Sequence, residues 1–485
     1  MTFMAHKPFF TSLLVLFLFF SLPRAHAFLT DDAAYLKVVD PSARVTPILT
    51  AGESVPRTSN PVQKFRLVGI PDGMGLFRDA KNQIHLMVNH ELKKTEATQP
   101  IADSPLLQGA FVSELLIRQT PIDVISGDLA ATTILNGTSG QPITGSAGRF
   151  CSGFLADEKV GLDRPLYLAG EEASGNETFD GRGGQTFAIV AGITYPLPNL
   201  GRFQKENTIV VPGTGLKTVA FGLEDAPKAY NSQLYLYVGE KNLSSKNALE
   251  RNGLAGGNLY ALAADAPGQK DEGNFHKRDH AIIGRWIKIP NAVSLTDDEL
   301  QKAAFEGGAF GFDRIEDGTY DRTQTGVFYF VTTGGDTDAN RKGRLYRLTF
   351  DPQNPAGGRV VLEILLEGDA GDPIVNPDNI DMNASGDMLI QEDFTLDNYG
   401  TLLKRSPSIW LYRPGGQSLT RLAEVNGKFW ESSGVLDASD AFGPGSWLVT
   451  VQAHTIGSAE ASRRQGIQGD GYVSEGGQIL LLQTR

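Results

Sequence analysis

Short apolar runs that end on acidic or polar residues recur along the chain. They occupy residues 86–91, 166–172, 234–240, 327–333, 388–393 and 447–454. Five of them end on a carboxylate or an imidazole, and the run 327–333 ends on hydroxyl groups. Aliphatic and aromatic runs of this length predict β-strands. Their return every roughly 60 to 90 residues predicts a radial array of small sheets that bury their faces by stacking.

The repeated unit has a consistent order of features. Each unit begins with a turn that contains acidic or amide residues. A strand that ends on a polar residue comes next, and a second apolar strand, usually preceded by glycine, follows. Six such units begin near residues 71–73, 151–172, 223–225, 314–317, 376–379 and 432–435. Six units predict an all-β fold, a six-bladed β-propeller with loop insertions such as 263–288. Residues 295–298 have the pattern of a helix start inside one loop.

The chain is predicted to contain one domain, residues 28–485, because no Pro/Ser-rich or charged linker divides it. Residues 1–27 have the pattern of a secretory signal peptide: Lys7 is positive, residues 9–22 are apolar, and Ala25-His26-Ala27 suits cleavage. A retained anchor is disfavoured because the apolar run is short for a membrane span. We therefore expect a secreted or periplasmic monomer with no membrane segment after cleavage.

The net charge of the chain is −12, and its Lys and Arg residues form no cluster. This argues against a nucleic-acid partner, since phosphates require a concentrated basic surface. Carboxylates brought together at the strand ends would repel one another unless cations neutralised them, so oxygen-liganded metal ions are one interpretation. The alternative is that these acids are solvated loop residues.

Three motifs carry candidate ligands. Glu171 and Glu172 are adjacent, and only a turn would let both side chains reach one site, because neighbours in an extended strand face opposite ways. Arg314 and Glu316 would share one face of a strand, either as an anion clamp beside a metal ligand or as a structural ion pair. Residues 376–379 offer side-chain oxygens, although Asn and Asp beside Pro also form ordinary turns.

Cys151 is the single cysteine, so no intramolecular disulfide can form. It is either a buried small hydrophobe or a metal-binding thiolate. His90 and His454 lie at the ends of apolar runs. Each is either a structural residue or a metal ligand or proton shuttle. The sequence has no Gly-x-Ser-x-Gly elbow, His-Glu-x-x-His helix or phosphate-binding Gly-x-x-x-x-Gly-Lys loop, which argues against a nucleotide-binding fold.

Several motifs occur together in an order that resembles the PhoX-type secreted alkaline phosphatases. These motifs lie at residues 149–153 (RFCSG), 171–172 (EE), 201–203 (GRF), 314–317 (RIED) and 376–380 (NPDNI). The resemblance implies a β-propeller that hydrolyses small-molecule phosphate esters with a mixed iron and calcium cluster. It also implies that Arg314 binds the phosphate.

The resemblance further implies a set of metal ligands in this chain. Cys151, Glu206 and Glu316 would ligate metal, with iron favoured at Cys151. The calcium side would be served by Glu171, Glu172, Asp378 and Asn379.

Two other functions are compatible with a carboxylate-rich propeller. The first is a calcium-dependent hydrolase of lactones or other esters, for which a soft thiolate ligand would have no use. The second is a non-enzymatic propeller that binds a partner or a carbohydrate, with metals that only stabilise loops.

Overall fold

The computed structural model describes residues 28–484 except 227–230, 278, 336–339, 395–404 and 417. The predicted signal peptide, residues 1–27, lies outside the described residues. Four strands precede the first complete sheet: β1 (Leu36–Val38), β2 (Ala43–Thr50), β3 (Ser54–Pro56) and β4 (Lys64–Arg66). The strands β3 and β4 pair with each other, whereas β1 and β2 join sheets formed by the end of the chain.

The next two sheets are antiparallel and are named blades 1 and 2. Blade 1 contains β5 (Pro71–Arg78), β6 (Ile84–His90), β9 (Phe111–Gln119) and β10 (Ile122–Leu129), with the hairpin β7 (Ala97–Thr98) and β8 (Leu107–Gln108) inserted after β6. Blade 2 contains β12 (Phe150–Ala156), β13 (Leu166–Glu171), β14 (Thr186–Val190) and β15 (Ile193–Leu197), and β11 (Thr133–Ile134) pairs with its outer edge.

Blades 3 and 4 are joined at their outer edges. Blade 3 contains β16 (Lys205–Val210), β17 (Lys217–Glu224), β18 (Ser232–Glu240), β19 (Gly257–Ala264) and β20 (Ile282–Ile289), and the short β21 (Gly311–Phe312) pairs with β18. Blade 4 contains β22 (Ile315–Tyr320), β23 (Val327–Thr332), β24 (Arg344–Thr349) and β25 (Val360–Glu367). Pairing of β20 with β25 makes the two blades one continuous sheet.

The last two blades recruit strands from the start of the described chain. Blade 5 contains β26 (Pro377–Met382), β27 (Met388–Glu392), β28 (Ser408–Arg413) and β29 (Ser418–Val425), with β1 at its outer edge. Blade 6 contains β30 (Glu431–Asp437), β31 (Ser446–Gly457) and β32 (Glu475–Thr484), with β2 outermost. The pairing of β2 with β32 closes the ring.

The first strand of each blade lies at the centre of the molecule. In the order β5, β12, β16, β22, β26 and β30, each of these inner strands contacts the next, and β30 contacts β5. This closed ring surrounds a central axis, so the six-bladed β-propeller predicted from the sequence is confirmed.

Helices are few and short within the described ranges: α1 (Ala248–Arg251), α2 (Asp297–Glu306), α3 (Ser439–Phe442) and α4 (Ser458–Arg464). The predicted helix start at 295–298 is confirmed, because Thr296 and Glu299 form a reciprocal capping box at the N-terminus of α2. None of the helices in the described part of the chain is long and apolar enough to cross a membrane.

The hydrophobic core lies between neighbouring blades. One cluster spans blades 2 to 4, and the Phe221 and Phe328 rings of blades 3 and 4 stack there with centroids 4.1 Å apart. Such a pair contributes about 1 kcal/mol beyond its area burial. Trp447 is fully buried in a second cluster between blades 5 and 6. The first cluster also contains inner-strand residues such as Ile209 and Ile315, so packing between blades helps to hold the residues around the axis in place.

Candidate metal centre

A β-bulge occurs near the start of the inner strand in all six blades, and in blade 6 it follows Ser432. The first residue of the strand pairs with the last residue of the following strand in blades 1, 2 and 5, for example Phe150 with Glu171, and the register then shifts. Blades 3 and 4 have the same shift after Lys205 and Ile315. Bulges redirect side chains. In blades 1 to 5, the second residue of the inner strand lines a common axial cavity: Asp72, Cys151, Glu206, Glu316 and Asp378.

Left-handed backbone precedes four of these bulges. Ile70, Arg149, Arg314 and Asn376 have φ values of 43°, 47°, 60° and 48°, and each lies directly before the first residue of an inner strand. This conformation costs a non-glycine residue of the order of 1 kcal/mol or more and clusters at functional sites. The same strained turn therefore shapes blades 1, 2, 4 and 5 at the mouth of the cavity.

The axial cavity is strongly acidic. It has a volume of about 540 Å³, and its described lining contains eleven carboxylates but only three Lys or Arg residues. Such an excess of buried acid is costly unless cations or protons neutralise it. The lining carboxylates are Asp72, Glu91, Glu96, Glu172, Glu206, Asp225, Glu316, Asp378, Asp393, Glu431 and Glu475.

Three groups of side chains have ligand geometry. In each group the potential ligand atoms lie within 4.8 Å of one another, and the groups are Asp72–Glu91–Cys151, Cys151–Glu172–Glu206 and Glu206–Glu316–Asp378. Because Cys151 and Glu206 each belong to two groups, the three candidate sites are contiguous across blades 1 to 5. The arrangement could hold a cluster of bridged cations.

Burial is the main cause of the raised carboxyl pKa values in these groups. It raises the pKa of Asp72 to about 7, with the charge of Glu91 as the next cause. The pKa of Glu206 is raised well above its ordinary value by burial and then by Glu316. Burial and Glu316 raise the pKa of Asp378 in the same way. All these groups can be ionised together only if cations bind between them.

The thiol of Cys151 is held between carboxylates. Its Sγ donates a hydrogen bond to Oδ2 of Asp72 at 3.2 Å. Burial raises the pKa of Cys151 well above its ordinary range, and the charges of Asp72 and Glu206 raise it further. A thiolate at this position therefore requires a bound metal cation, whose charge would reverse that shift.

Several buried oxygen atoms around the axis lack hydrogen bonds to any described residue. They are Oδ1 of Asp72, Oδ1 of Asn379 and Oε1 of Gln452. Buried polar atoms are almost always satisfied in folded proteins. Oxygen ligands are those that calcium prefers, so these atoms and the carboxylates have the chemistry required to bind hard cations.

A polar layer lies directly beneath the ligand groups. Ser152 donates to Oε1 of Glu206, and Nδ2 of Asn379 donates to Ser152 at 2.7 Å. Nδ2 of Asn207 donates to Asp317, also at 2.7 Å. Asn379 thus lies below the cavity lining and positions Glu206 through Ser152.

Arg149 and Arg314 lie at the cavity wall. Nη2 of Arg149 is 2.6 Å from Oε1 of Glu91 and 2.7 Å from Oε2 of Glu172. Nη2 of Arg314 is 2.9 Å from Oδ2 of Asp225 and 3.1 Å from Oε1 of Glu316. Arg314 lies directly before β22, with φ of 60°, and not on a strand face as predicted. It is nevertheless beside Glu316, and at 30% exposure its guanidinium is accessible from the cavity.

Glu171 lies outside the cavity. Its Oε1 accepts hydrogen bonds from the backbone N–H groups of Gly148, at 3.0 Å, and Phe179, at 2.7 Å. Only its neighbour Glu172 reaches the cavity lining. The predicted role of Glu171 as a calcium ligand therefore has no support in this geometry, and the side chain instead holds two loops together.

The two histidines at strand ends have different environments. His90 is fully buried, where Nε2 bonds to Ser113 Oγ at 2.7 Å and the ring stacks on Phe111. Burial lowers its pKa to about 4, so it is a neutral structural residue. His454 lines the cavity and is paired with Glu475 through Nδ1 at 2.7 Å.

The prediction that the run 234–240 delivers its acidic end to the shared site is wrong. This run forms most of β18, the third strand of blade 3, and Glu240 is exposed opposite Lys217 at the far end of the blade. Because strand direction alternates, the second strand, β17, ends at the cavity and places Asp225 there.

The strand-end pattern located three cavity residues, because the apolar runs 86–91, 166–172 and 388–393 end on Glu91, Glu172 and Asp393. The sequence assigned no role to Asp72, the second residue of an inner strand, or to Asp225, which directly follows the second strand of blade 3. Arg149 lies in the motif at residues 149–153, but the sequence predicted a function only for Cys151 in that motif.

A second cavity, of about 730 Å³, opens at the other end of the axis. Two ion pairs lie in its lining: Nη2 of Arg322 is 2.8 Å from Asp381, and Nζ of Lys159 is 2.6 Å from Asp440. None of the three ligand groups found among the described residues includes its lining. The acidic axial cavity is therefore the candidate functional site.

Comparisons with known proteins agree with this architecture. A family model described as alkaline phosphatase PhoX matches residues 193–418. The predicted resemblance to the PhoX phosphatases is confirmed. The same match confirms the predicted class of enzyme, a hydrolase of phosphate esters. No curated protein matches the sequence.

The comparison with solved structures finds one that is similar in fold. Pseudomonas fluorescens PhoX in complex with vanadate, a transition state analogue, is 16% identical, with a TM-score of 0.66 over 95% of this chain and 98% of that chain. At this identity the similarity establishes the propeller fold. A Penicillium chrysogenum alpha-L-arabinanase complexed with arabinobiose is 10% identical, with a TM-score of 0.44 over 90% of this chain and 98% of that chain.

Proposed function

We propose that this protein is a metal-dependent phosphatase that hydrolyses small-molecule phosphate monoesters in the acidic axial cavity. The observation that carries the proposal is the set of three contiguous ligand groups linked by Cys151 and Glu206. A monoester carries negative charge that would be repelled by eleven carboxylates, so substrate binding requires cations in this cavity.

The ligand groups differ in chemistry, which favours two kinds of metal. The group Glu206–Glu316–Asp378 offers oxygen atoms alone and suits calcium. The two groups that contain Cys151 include a soft thiolate and suit a transition metal, for which we propose iron. Glu172 would complete the iron side through its group with Cys151 and Glu206.

The bound cations would neutralise phosphoryl oxygens, increase the nucleophilicity of an attacking oxygen and offset charge that develops in the transition state. Arg314 would donate hydrogen bonds to a phosphoryl oxygen from its exposed edge, since guanidinium groups match phosphate geometry. Ser152 would keep Glu206 in its ligand orientation through the hydrogen bond that it donates. Asn379 would fix Ser152 in turn.

Cys151 distinguishes this proposal from a calcium-dependent hydrolase of lactones or other esters. Calcium takes oxygen ligands, so a calcium-only site would gain nothing from a thiol within ligand distance of four carboxylates in two groups. The position of Cys151 at the shared corner of two groups therefore favours the mixed metal centre. A propeller that only binds a partner would also have no evident use for a thiol at this position.

We also propose that the protein is exported and acts as a secreted or periplasmic monomer. The signal-peptide pattern of residues 1–27 supports export. Detection of a mature form beginning near Phe28 outside the cytoplasm would test this part, and retention of the full chain in the cytoplasm would contradict it.

The test of the function uses the mature chain purified without chelator. Metal content is measured by elemental mass spectrometry, and the same sample is assayed with a generic phosphate monoester. Glu316→Gln removes a cavity carboxylate paired with an arginine. Glu363→Gln is the matched control, because Glu363 is 34% exposed and pairs with Arg347 at 2.7 Å on the outer part of blade 4.

We expect iron and calcium with turnover in the wild type and in Glu363→Gln, and loss of metal and turnover in Glu316→Gln. Calcium alone with hydrolysis of lactones or other esters, but not phosphate esters, would contradict the proposal and favour the calcium-dependent hydrolase. Metal that raises the melting temperature without any ester turnover would favour a binding propeller.

A further inference from the structure

Arg149 and Arg314 occupy equivalent positions in blades 2 and 4. Each directly precedes the inner strand of its blade, β12 or β22, and has a left-handed backbone with φ of 47° or 60°. Each is followed by one apolar residue and then by a member of the ligand groups, Cys151 or Glu316. The same backbone turn therefore presents two guanidinium groups to one cavity.

The contacts of Arg149 use one edge of its guanidinium. Nε is 3.1 Å and Nη2 is 2.7 Å from Oε2 of Glu172. Nη2 also lies 2.6 Å from Oε1 of Glu91. Nη1 has no hydrogen bond to any residue that the structure describes, and the side chain is 44% exposed. One edge is thus held by carboxylates and the other is available to a ligand.

Arg314 has the same arrangement. Nε and Nη2 donate to the two oxygens of Asp225 at 3.0 and 2.9 Å, and Nη2 lies 3.1 Å from Glu316. Its Nη1 also lacks a hydrogen bond within the described part of the chain. The two arginines therefore match in backbone turn, in carboxylate anchoring and in the nitrogen that they leave available.

Between them the two arginines contact members of all three ligand groups. Nη2 of Arg149 lies 2.6 Å from Oε1 of Glu91 in the first group and 2.7 Å from Oε2 of Glu172 in the middle group. Nη2 of Arg314 lies 3.1 Å from Oε1 of Glu316 in the third group. Both guanidinium groups therefore border the row of candidate metal sites in one cavity.

We propose that Arg149 is a second phosphate-contacting residue, which donates from Nη1 to the phosphoryl group that Arg314 also binds. The inference rests on the proposed function and adds a second phosphate-binding residue to it. A monoester dianion offers three non-bridging oxygens, enough for two guanidinium donors and the cations, whereas a diester offers two such oxygens and one charge. The pair of arginines favours the dianion.

A purely structural role for Arg149 makes a different prediction. If Arg149 only neutralised Glu91 and Glu172, its removal would change metal binding or stability and leave the intrinsic affinity for phosphate intact. Phosphate affinity and metal content must therefore be measured on the same samples.

The experiment compares Arg149→Gln, Arg149→Lys and Arg314→Gln with wild-type enzyme loaded with its metals. Arg413→Gln is the matched control, because Arg413 pairs with Asp387 at 2.9 Å and is 49% exposed on β28 of blade 5, away from the cavity. Inorganic phosphate binding is measured by calorimetry, metal content by elemental mass spectrometry, and KM and kcat with a phosphate monoester.

We expect phosphate to bind about tenfold to a hundredfold more weakly to Arg149→Gln and to Arg314→Gln, because each loses a charge-assisted donor. Metal content should equal that of the wild type. Arg149→Lys should recover part of the affinity, since it keeps the charge but not the planar fork. Arg413→Gln should match the wild type.

Phosphate affinity within about twofold of wild type in Arg149→Gln, with Arg314→Gln impaired, would overturn the inference and leave the proposed function intact. Loss of metal from Arg149→Gln in step with loss of affinity would also overturn it, because Arg149 would then act through the metal ligands. Wild-type enzyme that neither binds phosphate nor hydrolyses the monoester would refute the proposed function itself.

Discussion

Glu171 and Glu172 are adjacent in sequence, yet their carboxylates serve opposite sides of blade 2. Glu171 accepts hydrogen bonds from two backbone N–H groups behind the cavity. Glu172 faces the cavity and forms an ion pair with Arg149. In the extended backbone at the end of β13, successive side chains alternate in direction. One acidic dipeptide therefore joins a structural anchor to a candidate metal ligand.

This division of roles predicts opposite effects of two neighbouring substitutions. Glu171→Ala should lower the free energy of unfolding by about 2 kcal/mol or more, because two backbone N–H groups lose their acceptor in a buried setting. Its metal content should be unchanged. Glu172→Gln should lose metal with little loss of stability in the metal-free form. Chemical denaturation and elemental analysis check both, and metal loss in Glu171→Ala alone would contradict the assignment.

Substitution of the single cysteine tests the nature of the metal centre. Cys151→Ser replaces a soft thiolate with a hydroxyl, so we expect loss of iron, retention of calcium and a fall in kcat of at least about a hundredfold. Elemental mass spectrometry and a phosphate monoester assay measure these effects. Unchanged activity in this variant would favour a calcium-only hydrolase.

Arg314 is expected to contribute more to catalysis than to folding. Arg314→Ala should lower kcat/KM by about a hundredfold, the usual effect of removing one donor that stabilises developing charge. Thermal unfolding and steady-state kinetics test the prediction, with Arg413→Ala as the control for loss of an exposed ion pair. Equal activity in Arg314→Ala would remove its proposed role.

Stability of the metal-free protein should fall as pH rises. Burial raises the pKa of Glu171 and Glu224 to about 8 and that of Asp317 to about 7. Between the ordinary carboxyl pKa and these values the folded state holds protons that the unfolded state has released, so the free energy of unfolding decreases with pH. Each group contributes a slope of about 1.4 kcal/mol per pH unit in this range.

Denaturation of the metal-free protein between pH 5 and pH 9 measures this dependence. Glu224→Gln removes one titrating group outside the ligand groups and should reduce the slope between about pH 5 and pH 8. A free energy of unfolding that rises with pH over this interval would show that the buried carboxyls are ionised in the folded state.

Much of the fold was accessible from the sequence because apolar strands at regular spacing are a local property. The strands at 166–172, 327–333 and 388–393 appear in the structure with nearly the same bounds. The inner strands were harder to recognise, since Arg314 to Asp317 reads as a polar turn. In the structure, Ile315–Tyr320 is a strand whose bulge and axial position explain its polar residues.

The candidate site was predicted only in part, because the position of a strand within a blade is a non-local property. The family resemblance supplied Cys151, Glu206, Glu316 and Asp378, which the structure brings together. Asp72 and Glu91 join them only because the ring places blade 1 beside blade 2. The sequence of β18 could not show that it is a third strand, so Glu240 was placed at the wrong end.

The pairing of β2 with β32 closes the propeller ring, and we expect this closure to be a late step in folding. These strands are separated by more than four hundred positions, and their ladder runs from Ala43 and Thr484 to Thr50 and Gln478. Contacts at such separation form slowly, because a long loop must close first. Blade 6 contributes Ser433 and Gln452 to the axial cavity. A nascent chain therefore cannot complete the axial cavity until β32 has been synthesised, so under the proposed function metal binding would be a late event in biogenesis.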